Sequence, residues 1–163
     1  MGITIRDVEV EDIDALVEIV QGQPLWERYG YRPSRVKSDL LGAMESADTV
    51  LVAEAGEGAV GFIWLQGKAA FSRSPYLRVL AVCRGSEGQG IGGLLLRRGE
   101  ESMNGAGGGM FLLVSDFNRD AHRFYLREGY CEVGRIPDYL VQGISERLMF
   151  KRWGTHAAVT KNR

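Results

Sequence analysis

The stretch that most restricts this chain is residues 77–103, LRVLAVCRGSEGQGIGGLLLRRGEESM. Residues 77–82 are apolar on both faces, which suits a central strand covered on two sides. Glycines crowd between positions 85 and 93, and Ile91, Leu94, Leu95 and Met103 then follow a helical rhythm. A buried strand, a glycine-rich turn and a helix in that order form an anion trap. Amides without side chains can converge on an oxygen, and the positive end of the helix dipole points the same way. The expected ligand is a phosphate.

The 163 residues suffice for one domain with a sizeable core, and 45% hydrophobic with 25% charged residues is an ordinary globular balance. We expect a single domain over residues 1–153 and a polar, frayed tail over 154–163. A net charge of −1 supplies no basic footprint for nucleic acid. The acidic start MGITIRDVEVED lacks the apolar core of a signal peptide, and no apolar run reaches membrane-span length. Two cysteines and two histidines, all far apart, give neither a disulfide framework nor a metal spacing. The chain reads as cytoplasmic, without a membrane partner.

Residues 3–6 read as an opening strand, followed by an amphipathic helix carrying Ile13, Leu16, Val17 and Val20. Residues 21–33 read as an aromatic loop, with Trp26, Tyr29 and Tyr31 either buried or forming a substrate wall. Ser34 is placed to cap a second helix with Val36, Leu40, Ala43 and Met44 on its apolar face. Strands are expected over 49–55 and 60–66, joined by a hairpin at Gly56-Glu57-Gly58. A loop over 67–75 leads into the central strand, and a further strand spans 110–115. Asn118 can cap a helix with Ala121, Phe124 and Tyr125 on one face, and Gly129 is placed to end it. Strands at 131–136 and 147–150 close the chain, with Cys131 expected in the core. His122 is expected to face water, and His156 falls in the tail. The hairpin demands antiparallel neighbours, while the strand–helix–strand unit over 77–115 demands a parallel pair. The fold class is therefore α/β (α+β) with a mixed, mostly antiparallel central sheet, one parallel βαβ unit and flanking helices. An edge strand open to pairing leaves room for a homodimer.

Three phosphate cradles compete for the glycine turn. A P-loop needs Lys-Ser or Lys-Thr after its last glycine, and Leu94-Leu95 stands there instead. Residues 88–93 do satisfy the dinucleotide pattern G-x-G-x-x-G, with Asp116 in the place of a ribose-binding acid. However, five residues separate strand from motif, and a hairpin rather than a parallel unit lies upstream. The third cradle is one for acyl-coenzyme A. Leu80-Ala81-Val82, four residues, then Glu87-Gly88-Gln89-Gly90-Ile91-Gly92 resembles the first signature of the GNAT N-acetyltransferases, Q/R-x-x-G-x-G/A. Residues 118–130, NRDAHRFYLREGY, resemble the family's second signature, N-x-x-A-x-x-F-Y-x-x-x-G-F/Y. The order of elements is also that of the family, so the resemblance reaches to about Arg152.

The resemblance implies a GNAT-like acyl-CoA N-acyltransferase fold and acetyl-CoA as cosubstrate, with no metal. It implies transfer of an acetyl group to a primary amine by direct attack through a tetrahedral intermediate. Residue by residue, it assigns the diphosphate to the amides of Gly88, Gln89, Gly90, Ile91, Gly92 and Gly93. The backbones of Leu80 and Val82 fall to the pantetheine arm, their side chains being plain core. The Val82 amide falls to the oxyanion, Asn118 to the pantetheine, and Tyr125 to protonation of the leaving thiolate. Two departures stand out. Glu87 replaces the usual Gln or Arg, and Tyr76 stands where some members carry a glutamate base. A neutral phenol is a poor base at pH 7, so the base is unassigned, with Asp116, Glu54 or another carboxylate open. Cys83 beside Arg84 raises the alternative of an acyl-cysteine route. The amine, from small molecule or protein, is expected between residues 21–35, 67–75 and 137–143, which hold Trp26, Arg28, Tyr31, Arg73, Asp138 and Tyr139. Alternative readings are an acyl-CoA sensor without turnover and a dinucleotide-binding protein.

Overall fold

A computed structural model describes residues 2–56 and 58–154; the expected tail with His156, and Glu57 of the hairpin turn, lie outside these. Seven strands form one sheet in the order β1-β2-β3-β4-β5-β7-β6. They are β1 (Ile3–Asp7), β2 (Thr49–Ala55), β3 (Gly58–Ala70), β4 (Ser74–Val82), β5 (Gly109–Ser115), β6 (Cys131–Ile136) and β7 (Glu146–Arg152). Only β4 and β5 pair in parallel; the other neighbours are antiparallel. The mixed sheet expected from the hairpin and the crossover unit is the observed one.

Period-two alternation sorts the strand residues into two cores. Leu51, Ala53, Ile63 and Leu65 face α4 (Ile91–Met103), meeting its Ile91, Leu95 and Leu96. Val50, Val52, Phe62 and Trp64 face the opposite way, onto α1 (Ile13–Gln21) and α3 (Pro33–Glu45). Both faces are covered, which explains the unbroken apolar runs in β2 and β3. Gly99 lets α4 approach closely, because a Cβ there would stand 2.9 Å from the side chains of Ile63 and Leu65. The glycine turn at the head of α4 is thereby held against the sheet.

Four expectations need correction. The aromatic loop over 21–33 contains a short helix, α2 (Pro24–Arg28), because Pro24 sits in its first turn, where the missing N–H costs nothing. Helix α3 begins at Pro33 for the same reason, and Ser34 makes no cap. The loop over 67–75 shrinks to a turn at residues 71–73, since β3 runs on to Ala70 and β4 begins at Ser74. Cys131 opens the outermost strand and is exposed, because β6 has a neighbour on one side only. Asn118 does cap α5 (Arg119–Arg127), accepting from Ala121 N at 3.1 Å.

Candidate active site

Strands β4 and β5 pair at only two positions, Tyr76–Phe111 and Leu77–Leu112. Immediately beyond, a register shift against β3 leaves Arg78 unmatched. Such a bulge bends its strand, and here the end of β4 parts from β5. Arg78 is anchored by Asp39 at 3.2 Å and lies 4.1 Å over the Trp64 ring. The result is a wedge between the two strands, open at the height of Leu80 and Val82.

The backbone of Val82 faces this wedge. The next amide, Cys83 N, donates to Val60 O on β3 at 2.7 Å, so Val82 is turned the other way. Its carbonyl accepts from Gln23 Nε2 at 3.0 Å. Because N–H and C=O of a residue share a side of an antiparallel strand, the Val82 N–H also points into the gap. Leu80, two residues back, repeats that direction.

The glycine turn borders one mouth of the wedge. Gly88 (φ +76°) and Gly90 (φ +81°) are left-handed, with no atom within 4 Å of the place a Cβ would take. A non-glycine residue is strained there. The first α4 bond runs from Leu94 N to Gly90 O at 3.0 Å, so the amides of Ile91, Gly92 and Gly93 have no partner within the helix. Glu87 turns its carboxylate back onto Gly85 N at 2.6 Å. A cleft of about 550 Å³ runs from Leu80 and Val82 past this turn to Phe124 and Tyr125 on α5, with Arg97 and Arg127 at its rim. The Leu80 and Val82 side chains are half-buried, packed against the core under α4 while also lining this cleft. The splay that frees their backbones uncovers their side chains too.

Tyr125 is buried, and among the described residues its hydroxyl makes no hydrogen bond with a protein group. Burial pushes its phenol well above the ordinary tyrosine range, with Tyr76 adding a smaller push. It therefore stays protonated at neutral pH. The Asn118 oxygen is used as a cap, which leaves its amide N–H₂ free beside Leu80 and Val82.

A second cleft, of about 530 Å³, opens on the other side of the wedge, walled by Trp26, Tyr31, Phe71, Tyr76, Phe111 and Tyr139. Its buried carboxylate is Glu146, only 3% exposed at the start of β7. The Tyr29 hydroxyl donates to Glu146 Oε1 and shares a hydrogen bond with Ser115 Oγ. Burial raises the Glu146 carboxyl above its ordinary value, against the Tyr29 hydrogen bond, and nearby Asp116 raises it further. Burial, then Glu146, pushes the Tyr29 phenol up to about 12.

Residues 46–132 match the family model for the acetyltransferase (GNAT) domain. The chain belongs to the GNAT family. No curated protein sequence matches it. Among solved structures, the PaiA N-acetyltransferase of Thermoplasma acidophilum, in complex with coenzyme A, is 22% identical with a TM-score of 0.71. It covers 94% of this chain and 100% of its own. YncA from Salmonella typhimurium, with its cofactor acetyl-CoA, is 18% identical at a TM-score of 0.76 over 99% of this chain and 100% of its own. An aminoglycoside 6′-N-acetyltransferase complexed with coenzyme A is 17% identical at 0.78, over 95% of this chain and 99% of its own. At such identities the likeness concerns the fold, and the shared fold is the GNAT sheet.

In this GNAT chain the first cleft gathers Leu80, Val82, Gly88, Gly90, Ile91, Gly92, Gly93 and Tyr125. Asn118 lines its continuation toward Gln23, and exposed Gln89 has no place in either lining. Among the described residues β4 and β5 form the one parallel pair, which is not the repeated parallel arrangement of a dinucleotide fold, and the Asp116 carboxylate accepts Ser145 N at 3.1 Å. Glu54 is paired with Arg6 at 2.9 Å, at the far side of the sheet. Cys83 packs with the α1–α3 core and lines neither cleft, so it is badly placed for an acyl-cysteine route. His122, expected to face water, turns toward Glu132 with Nε2 at 3.3 Å. Of the acceptor residues, Trp26, Tyr31 and Tyr139 line the second cleft. Arg28 instead stacks 4.2 Å from the Phe117 ring, and Asp138 binds Gly143 N. Sequence reasoning missed Gln23, Ser115 and Glu146. The last lies one residue before the strand expected at 147–150, and no motif marks it.

Proposed function

We propose that this GNAT chain is an acetyl-CoA-dependent N-acetyltransferase acting on a primary amine by direct attack. The observation that carries the reading is the Val82 N–H, presented in a wedge with an anion-cradling turn at one mouth and an acceptor cleft at the other. Acetyl-CoA would supply the thioester whose acyl carbon is attacked. The residues fit that molecule. The open amides of Gly88, Gln89, Gly90, Ile91, Gly92 and Gly93 suit a diphosphate, while the Leu80 and Val82 backbones and the Asn118 amide suit a pantetheine arm. The Val82 N–H is the donor for oxyanion charge.

Tyr125 is the acid. Its raised pKa would make it a reluctant donor toward a thiolate in water, but burial raises the affinity of the thiolate for a proton as well. A buried, unpartnered phenol therefore hands its proton over where C–S cleavage creates the charge. The Glu87 carboxylate, engaged by Gly85 N, points its charge into its own loop rather than at the cradle.

The direct test combines calorimetry with acetyl-CoA and thiol release in the presence of primary amines. Binding with amine-dependent release is expected. Binding with no release across amines between pH 6 and 9 would favour a sensor, and absence of binding would end the reading.

A further inference from the structure

Among the described residues eight large apolar side chains remain exposed; Val10, Leu94, Leu126 and Val133 lie elsewhere on the surface, and the other four gather in one place. Tyr31 (40%), Phe71 (75%), Tyr139 (56%) and Leu140 (57%) come from three separate segments and converge on the second cleft. The non-glycine residues with left-handed backbone, Phe71, Ser72 and Asp138, belong to the same two turns that present this rim. Exposed apolar surface and backbone strain both carry a cost, and both collect where a ligand is bound. The volume, about 530 Å³, is that of a small-molecule site.

Charge narrows the ligand. The lining includes one carboxylate, Glu146, and one cation, Arg78, which is already paired with Asp39. A polyamine or aminoglycoside entering this cleft would have to shed water from several ammonium groups with a single acid to receive them. A monoamine matches the count. From these observations, and resting on the acetyl-CoA-dependent reading above, we propose that the acceptor is a primary monoamine on a flat apolar body. Glu146 binds its ammonium group and takes its proton.

The step balances as follows. The ammonium gives one proton to the Glu146 carboxylate, and the freed lone pair forms the C–N bond to the acyl carbon. The C–S bond breaks with its pair left on sulfur, which takes a proton. The nitrogen sheds its second proton, so the products are one amide, one thiol and one proton to solvent. Tyr29, from the end of α2, holds the carboxylate in place. Asp116, Tyr76 on β4 and Tyr139 are the other titratable groups around it. Tyr76 stays neutral, its pKa pushed up to about 12 chiefly by burial.

The experiment first establishes acetyl-CoA binding by calorimetry; without binding, the underlying reading fails before this one is reached. With binding in hand, thiol release is compared for 2-phenylethylamine, spermidine and kanamycin. The expected kcat/KM for 2-phenylethylamine exceeds the other two by about a hundredfold. Equal or reversed preference, or no release from any of the three, overturns the assignment. Glu146→Gln, nearly isosteric, should lower kcat/KM by about a hundredfold or more, abolish the acidic limb of its pH profile and leave acetyl-CoA affinity intact. Tyr29→Phe tests the same point without removing the carboxylate. Loss of a hydrogen bond that lowers the Glu146 pKa should move that limb to higher pH. An unchanged limb in both variants contradicts the role of Glu146.

Discussion

Tyr125 and Glu146 illustrate how burial prepares two groups for opposite tasks. Desolvation raises both pKa values. For the phenol this secures the protonated state that an acid needs; for the carboxylate it strengthens a base. Replacing Tyr125 by Phe keeps the ring packed edge-on against Phe124 and Tyr130, at 5.1 and 5.6 Å between centroids. Tyr125→Phe should therefore lower kcat by about a hundredfold while acetyl-CoA affinity stays within about threefold. Steady-state kinetics beside calorimetry would decide it, and an unchanged kcat would remove Tyr125 from the chemistry. Tyr125 was legible because it sits in a local signature. Glu146 was not, since its meaning depends on Tyr29, 117 residues away in the chain, closing over it.

Among the elements, the strand–turn–helix unit of β4 and α4 sets the geometry, and glycine makes it attainable. Gly90 is the N-cap of α4 in a left-handed conformation with free space around it. Gly90→Ala therefore meets no clash, and its cost is conformational, about 1–2 kcal/mol. A melting temperature lower by several degrees is expected, together with acetyl-CoA binding weakened by about tenfold as the new methyl intrudes on the cradle. A variant that binds as tightly as the parent would show that this turn does not hold the ligand. The unit was readable in the sequence because apolar runs, glycines and helical spacing are all local signals. Helix α2 was hidden by its brevity, one turn between Pro24 and Tyr29. The bulge at Arg78 was hidden because it is a property of the β3–β4 register, which no single strand records.

For the whole molecule, two cores hold a sheet that is deliberately incomplete. β4 and β5 stay paired at Tyr76 and Leu77 and part beyond, so the interruption sits at mid-sheet, with a cleft on either side. Composition and element order sufficed to expect the mixed sheet and its one parallel pair. They could not show that segments as distant as Tyr31, Phe71 and Tyr139 border the same cleft, because that follows from tertiary packing alone. The claim on which the function depends is that backbone amides of this opening receive acetyl-CoA. Its most direct test is ¹⁵N-resolved NMR of the labelled protein titrated with acetyl-CoA. The largest amide shifts should fall on Val82, Gly88 and residues 90–93, with β6 and β1 little changed. Saturating additions that leave those amides unmoved, or that shift a different face of the sheet, would contradict the account.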